Sequence, residues 1–356
     1  MKKGIYILFA VLTLISCVNT NIQLTGTWIE KDNFRNPKIY KFTLDSFQEY
    51  EGKYLHTTKI YLLKKDTFIT DDYDEIHKNR ISLNGNILSF IDLDSDTVFY
   101  SLEKGDFNNS LDYFNFKTGT NICLPQLNSE ESRNTGNFNS IYCDSQANLY
   151  FNGYKTNIKD LASKYKPLKT FEIIYSCIYC DKSVSLSVLN EIKKELIKSE
   201  YNFVSYITQN DKNQLEKINA RLPQTIENQS ILDLIPENNF ETLNCRITNN
   251  SIELNGKRVS SEQLFRTLKD KISQKKNELN VYVYFENTLN YETYINEFFN
   301  IRNAYNSVRK EYSKNKYGDA DYQFMDDSIS NCVMELYPMR FFEINENDYK
   351  RLKYAP

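Results

Sequence analysis

Two Asn-Gly pairs, Asn152-Gly153 and Asn255-Gly256, constrain this chain more than any other feature. Such a pair accepts positive φ at both central positions of a two-residue turn, and so joins two antiparallel strands closely. Around the second pair the pattern is explicit. A strand opens at Asn244, Asn249-Asn250 turns, a second alternating strand follows, and Asn255-Gly256 turns again. Ser260-Ser261-Glu262-Gln263 then starts a helix, with the apolar set Leu264, Phe265, Leu268 and Ile272 on one face. Val281 to Phe285 is too short for a helix and is made of strand formers. A second helix begins at Tyr291. Hairpin, helix, strand, helix describes a small α+β domain.

The same order occurs earlier in the chain. Ile141-Tyr142-Cys143, then Asn148 to Gly153, then a helix from Thr156 through Leu161 repeat the opening. A strand from Phe171 to Tyr179, a helix from Val184 to Ser199 and a strand from Phe203 to Thr208 complete it. A Leu-Pro pair precedes each copy, Leu124-Pro125 and Leu222-Pro223. Two copies are fewer than a solenoid needs, so the sequence reads as a tandem duplication.

This succession of Leu-Pro, strand, turn, strand, Asn-Gly, helix, strand, acid and helix resembles the periplasmic domain of ExbD/TolR biopolymer-transport proteins. The second copy resembles the Bacteroidetes branch, through Tyr312 to Gly318, Leu336-Tyr337-Pro338-Met339-Arg340 and the acidic stretch Glu343 to Asp348. The likeness spans roughly Asn121 to Asp348. It implies a soluble fold that pairs two-fold and recruits an energy-transducing protein through a sheet edge, so the edges of the two copies would pair inside this one chain. Family members carry a transmembrane helix with an acidic residue ahead of the domain. Here the residues before each copy are polar, as in Asp211-Lys212-Asn213-Gln214, so the proton-coupled role does not carry over.

The start of the chain supplies a different tether. Lys2 and Lys3 precede an apolar run from Ile5 to Leu14, too short to span a bilayer. Leu14-Ile15-Ser16-Cys17 resembles a bacterial lipobox, which implies cleavage and lipidation at Cys17. The expected place is the cell envelope, lipid-anchored and facing the periplasm. The alternative is an ordinary signal peptide with an incidental cysteine.

From Asn21 to Gly105 seven or so short strands alternate with tight turns, including Asn84-Gly85-Asn86. They suggest a small antiparallel β barrel or sandwich. Gly26-Thr27-Trp28, with the only tryptophan, resembles the opening of lipocalin-like domains. The expected organisation is a signal segment over 1–17, a β domain over 21–105, a linker over 106–139, a first ExbD/TolR-like domain over 140–208, a linker over 209–243, and a second domain with a helical tail over 244–356. In the second linker Leu215, Ile218 and Leu222 fit one short helix. A net charge of −3, with acids and bases interspersed, argues against a nucleic-acid partner.

Candidates for chemistry are few. Cys177 and Cys180 form a Cys-x-x-Cys pair, but within a strand rather than at a helix N-terminus, where amides would lower a thiol pKa. Buried strand cysteines acting as small apolar residues are the plainer reading. With Cys17 set aside, Cys123, Cys143, Cys177, Cys180, Cys245 and Cys332 permit disulfides without revealing connectivity. No second ligand pair accompanies them, and only His56 and His77 are present, so no metal or other cofactor is expected. The charged run Asp71 to His77 reads as a solvated turn between strands, and Asp181 and Glu286 as acids that orient the helices after them. No catalytic set is evident. Along the last long helix, Tyr294, Phe298, Ile301, Tyr305 and Val308 make one face, to cover the second sheet or to dock a partner or dimer mate. Three readings follow: a non-enzymatic envelope lipoprotein that is a scaffold or accessory of a TonB-ExbB-ExbD or Tol-Pal-like system, a lipocalin-like small-ligand-binding lipoprotein, or a thiol redox protein at Cys177 and Cys180.

Overall fold

The computed structural model describes residues 22–353 apart from 36, 52–53, 73–74, 129–137, 166–174, 223–229 and 236–239. Cys17 and the residues before it, Phe171 to Ile174 of the expected strand, Pro223 and the run Glu130 to Gly136 lie outside the described residues. The chain divides into two compact units, Met1–Thr118 and Gly119–Pro356.

The first unit is a closed antiparallel barrel of eight strands in chain order. They are β1 Gly26–Glu30, β2 Lys38–Phe42, β3 Ser46–Glu51, β4 Tyr54–Lys64, β5 Thr67–Asp72, β6 Glu75–Asn84, β7 Ile87–Ile91 and β8 Val98–Lys104. Of the charged run, Asp71 and Asp72 end β5 and Glu75 to His77 open β6, while 73–74 lie outside the described residues. The strand that sequence patterning misses is β3, where Phe47 and Glu49 both face inward. A buried acid at an inward position conceals the apolar alternation, and Lys38 Nζ lies 2.6 Å from its carboxylate. Trp28, fully buried, donates from Nε1 to Leu24 O at 2.6 Å and closes the end where the chain enters. Above it Tyr40, Phe42, Phe47, Tyr61, Phe68 and Phe90 fill the interior, with neighbouring rings 5.0–6.5 Å apart. The barrel is packed with its own side chains.

The segment 106–139, expected as a linker, carries helix α1, Ser110–Thr118. Asn109 Oδ1 accepts from the amides of Leu111 and Asp112, and Tyr113 and Phe114 are buried. With Phe107, Tyr113 covers Ile29 and Ile39 on the outer wall of β1 and β2.

The second unit holds two mixed sheets. The first has the order β11-β10-β9-β12-β13-β14 and the second β17-β16-β15-β18-β19. In the first, β9 Phe138–Cys143 pairs antiparallel with β10 Leu149–Phe151, which pairs with β11 Tyr154–Thr156; β12 Tyr175–Cys180 lies parallel on the other side of β9, and β13 Phe203–Gln209 lies parallel beyond it. In the second, β15 Glu241–Ile247, β16 Ile252–Leu254, β17 Lys257–Val259, β18 Leu279–Phe285 and β19 Phe341–Ile344 repeat this pairing. Helix α2 Leu161–Tyr165 precedes β12 as α5 Ser261–Lys275 precedes β18, while α3 Leu186–Lys198 follows β12 as α6 Tyr291–Tyr317 follows β18. Between the copies lies α4 Ile231–Leu234, and after α6 come α7 Asp327–Leu336 and α8 Glu346–Lys353.

The equivalence extends to the turns. Asn152 and Asn255 both take φ 49°, and Gly153 and Gly256 take φ 85° and 76°. Each asparagine exchanges the same two bonds with the opposite strand. The Asn152 amide donates to Ser140 O and its Oδ1 accepts from Ser140 N, at 2.8 and 2.9 Å. Asn255 does the same with Asn244, at 2.7 and 2.8 Å.

The expected helix at Leu215, Ile218 and Leu222 is instead strand β14, Leu215–Arg221, antiparallel to β13 along its whole length. Glu216 and Ile218 are its buried positions, and Asn210 Nδ2 donates to the Glu216 carboxylate at 2.9 Å. Again a buried glutamate disguises a period of two. The described part of the 209–243 segment is therefore part of the fold rather than a spacer. Its end, too, enters β15 at Glu241. Near Thr156 the chain makes strand β11 and a single 3-10 turn, Ile158–Asp160, before α2, instead of the continuous helix expected there.

Candidate functional site: the seam between the two repeats

The two copies meet where each passes from its parallel strand into the next helix. Ser185 and Asn290 are the N-caps of α3 and α6 and form an antiparallel bridge with one another. Leu186 N donates to Leu289 O, and Tyr291 N donates to Val184 O, both at 2.7 Å. Ser187 N donates to Asn287 O, and Glu292 N donates to Lys182 O, both at 3.1 Å. These are equivalent positions exchanged, so a local pseudo-two-fold axis passes between Ser185 and Asn290. A helix leaves its first amides without intrahelical partners. Here the first two amides of each helix are satisfied by carbonyls of the other repeat. The join is made at the helix entrances, and not at the sheet edges as the resemblance implied.

Behind this crossing the two repeats share one apolar core, which runs from Ile141 and Leu189 in the first to Val283 and Ile301 in the second. Tyr206 of β13 packs against Tyr291, Tyr294 and Phe298 of α6, with ring centroids 6.4, 6.1 and 5.7 Å apart. The Lys193 ammonium is enclosed there. Lys193 Nζ, from α3, donates to Tyr294 Oη at 2.6 Å and to Glu343 Oε2 at 2.9 Å. Tyr294 Oη donates to Glu343 Oε1 at 3.1 Å. Burial alone would lower the Lys193 ammonium, but the Glu343 carboxylate and the Tyr206 phenol together outweigh it, and its pKa ends above the ordinary lysine value. Burial pushes the Tyr294 phenol well up, and Glu343 adds to the effect. This triad joins α3, α6 and β19 across the seam.

The acids after the parallel strands sit outside the helices. Asp181 lies before the Ser185 cap, and its carboxylate accepts from Ser183 N, Ser183 Oγ and Cys123 N at 3.0, 2.6 and 2.8 Å. It shapes the loop that reaches the seam instead of sitting in the helix's first turn. Glu286 lies 3.9 Å from Arg246.

Cys177 and Cys180 both lie in β12 and are buried. Burial pushes the Cys177 thiol up to about 11 and the Cys180 thiol well above its usual value. This is the opposite of an activated thiol. In β9, Cys143 is the in-register neighbour of Cys180. Cys245 is also buried and raised by desolvation, while Cys123 and Cys332 are exposed. Among the described residues, no group of three or more His, Cys, Asp or Glu is placed to hold a metal ion. No described helix is long and apolar enough to cross a membrane.

A separate open cleft of about 350 Å³ runs between the outer face of α6, at Phe299, Asn303 and Asn306, and the turn Tyr322–Phe324. Its lining is rich in amides, with Ser307, Lys310 and Asp321 beside them.

No family model matches the chain, and no curated protein matches it. One solved structure, accessory secretory protein 1, 2 and 3 of Streptococcus pneumoniae, aligns over 89% of this chain and 60% of its own length, at 8% identity and a TM-score of 0.16. The chain thus spans about three fifths of that structure's length, and a likeness this slight carries no argument.

Proposed function

We propose that this chain is a non-catalytic envelope lipoprotein, tethered through Cys17, whose paired α/β repeats serve as a scaffold or accessory of a TonB-ExbB-ExbD-like or Tol-Pal-like transport assembly. The observation that carries this reading is the reciprocal capping at Ser185 and Asn290, which pairs two equivalent units in one chain. The ExbD/TolR-like succession of elements in each repeat supports the same class of partner. The thiols speak against redox chemistry, because burial raises Cys177 and Cys180 instead of activating them. The aromatic filling of the barrel favours a scaffold over a carrier of a small apolar ligand.

The test is capture of the full-length chain from detergent-solubilised membranes of its own cell, with crosslinking, followed by identification of co-purified proteins. Recovery of transport or motor components, lost when the seam is disrupted, is the expected outcome. Consistent recovery of the chain without any such component overturns the proposal.

A further inference from the structure

We propose that the end of the barrel where the chain enters lies against the surface of a lipid bilayer, on a patch formed by Leu44, Ile60, Leu62 and Ile69. The proposal rests on the lipid-anchor reading and adds an orientation to it.

Three observations converge. First, chain reach is short. Five peptide steps separate Cys17 from Ile22, which packs on the barrel core, and they extend at most about 17 Å. Since Gly26 pairs with Phe42, the β2–β3 turn shares the end at which the chain enters. The Lys64–Thr67 turn lies there too, because Tyr61 N donates to Asp45 O at 2.9 Å. A lipid on Cys17 therefore brings this end of the barrel, and no more distant part of it, to the bilayer.

Second, that end displays aliphatic side chains on its outer wall. Leu44 is 83% exposed, Ile60 75% and Leu62 52%. Ile60 and Leu62 share one face of β4, Ser46 is the cross-strand neighbour of Ile60, and Ile69 of β5 is the neighbour of Leu62. Isolated exposed aliphatics need no explanation, but neighbouring ones on one wall form a surface. The β1 and β2 wall differs, since α1 covers Ile29 and Ile39 there.

Third, Leu44 is held out by a built turn. Thr43 N donates to Ser46 O at 2.8 Å, and Tyr61 Oη donates to Thr43 O at 2.8 Å. A leucine fixed at the tip of a braced turn needs no ordering on contact with lipid. Exposed Lys64 and Lys65 rim the patch with Asp45 and Asp66 among them, so aliphatic burial rather than charge carries the attraction.

The test uses the full-length chain, purified from membranes and reconstituted into vesicles of phosphatidylcholine and phosphatidylglycerol with brominated acyl chains. Ile60→Trp reports on the patch, and Phe99→Trp reports on β8, across the barrel. Trp28 stays as the internal standard of an intact barrel. The Ile60→Trp signal is expected to fall roughly twofold in brominated vesicles, as for a ring at the headgroup boundary, and the Phe99→Trp signal to hold. Equal quenching of both, or of neither, overturns the proposal. Mass analysis of the Cys17 peptide reports separately on the anchor. Lipidated Cys17 with unquenched Ile60→Trp removes the surface and keeps the anchor. Unlipidated Cys17 with quenched Ile60→Trp does the reverse.

Discussion

At the scale of single residues, the chemistry of this chain is that of burial. Cys123 and Cys332 are exposed, and Cys143, Cys177, Cys180 and Cys245 are enclosed. A thiol reagent applied to the native protein at neutral pH is expected to modify the first two and to reach the other four only on unfolding. Mass mapping of modified peptides checks this, and rapid native labelling of Cys177 or Cys180 would contradict it. Lys193 carries a second expectation. Lys193→Met leaves the Glu343 and Tyr294 oxygens without their shared donor, and is expected to cost about 1.5–3 kcal/mol by urea unfolding. Since Lys193 titrates higher in the folded chain than in the unfolded one, its contribution is complete below the ordinary lysine value of about 10.4. It is lost as pH rises through the folded value. The gap between wild type and Lys193→Met should therefore close only in strong alkali. A gap that closed near neutrality would mean that the ammonium is not the stabilising species.

At the scale of elements, the two Asn-Gly hairpins and the capped helix were readable because their signals are local. Gly256 sits at φ 76°, which a branched side chain tolerates poorly, so Gly256→Val is expected to cost about 1–2 kcal/mol. Ser260 accepts from Gln263 N while the Gln263 side chain accepts from Ser260 N, and Ser260→Ala is expected to cost about 1 kcal/mol. Thermal unfolding of each variant checks both, and no change in either would discard the turn and cap arguments. The elements misread share a cause. Strands β3 and β14 each turn a glutamate inward, Glu49 beside the Lys38 ammonium and Glu216 bonded by Asn210. A period of two is legible only when inward residues are apolar. Helix α1 was hidden differently, since its asparagine-rich surroundings resemble a loop, although Asn109 and Asp112 are a legible cap. Nothing local in the sequence announces the seam. Its bonds run between backbone groups of residues such as Leu186 and Leu289, for which side-chain identity matters little.

At the scale of the whole molecule, the seam predicts its own sensitivity. Ser187 is exposed, and its amide donates to Asn287 O of the other repeat. Proline is tolerated in the first turn of a helix but has no N–H to give. Ser187→Pro is therefore expected to lose about 0.5–1.5 kcal/mol by urea unfolding, while Ser187→Ala, which keeps the amide, stays near wild type. Equal behaviour of the two variants would remove the reciprocal-capping account. A free two-fold dimer must present every surface twice and can dissolve on dilution. Here the halves are covalently joined, so their union does not depend on concentration, and each half can change without its mate changing too. The extra strand β14 on one side and the trailing helices α7 and α8 on the other are such private alterations. Any protein that reads this pair therefore meets a left hand and a right hand, and can be held in a single orientation, one copy to one copy.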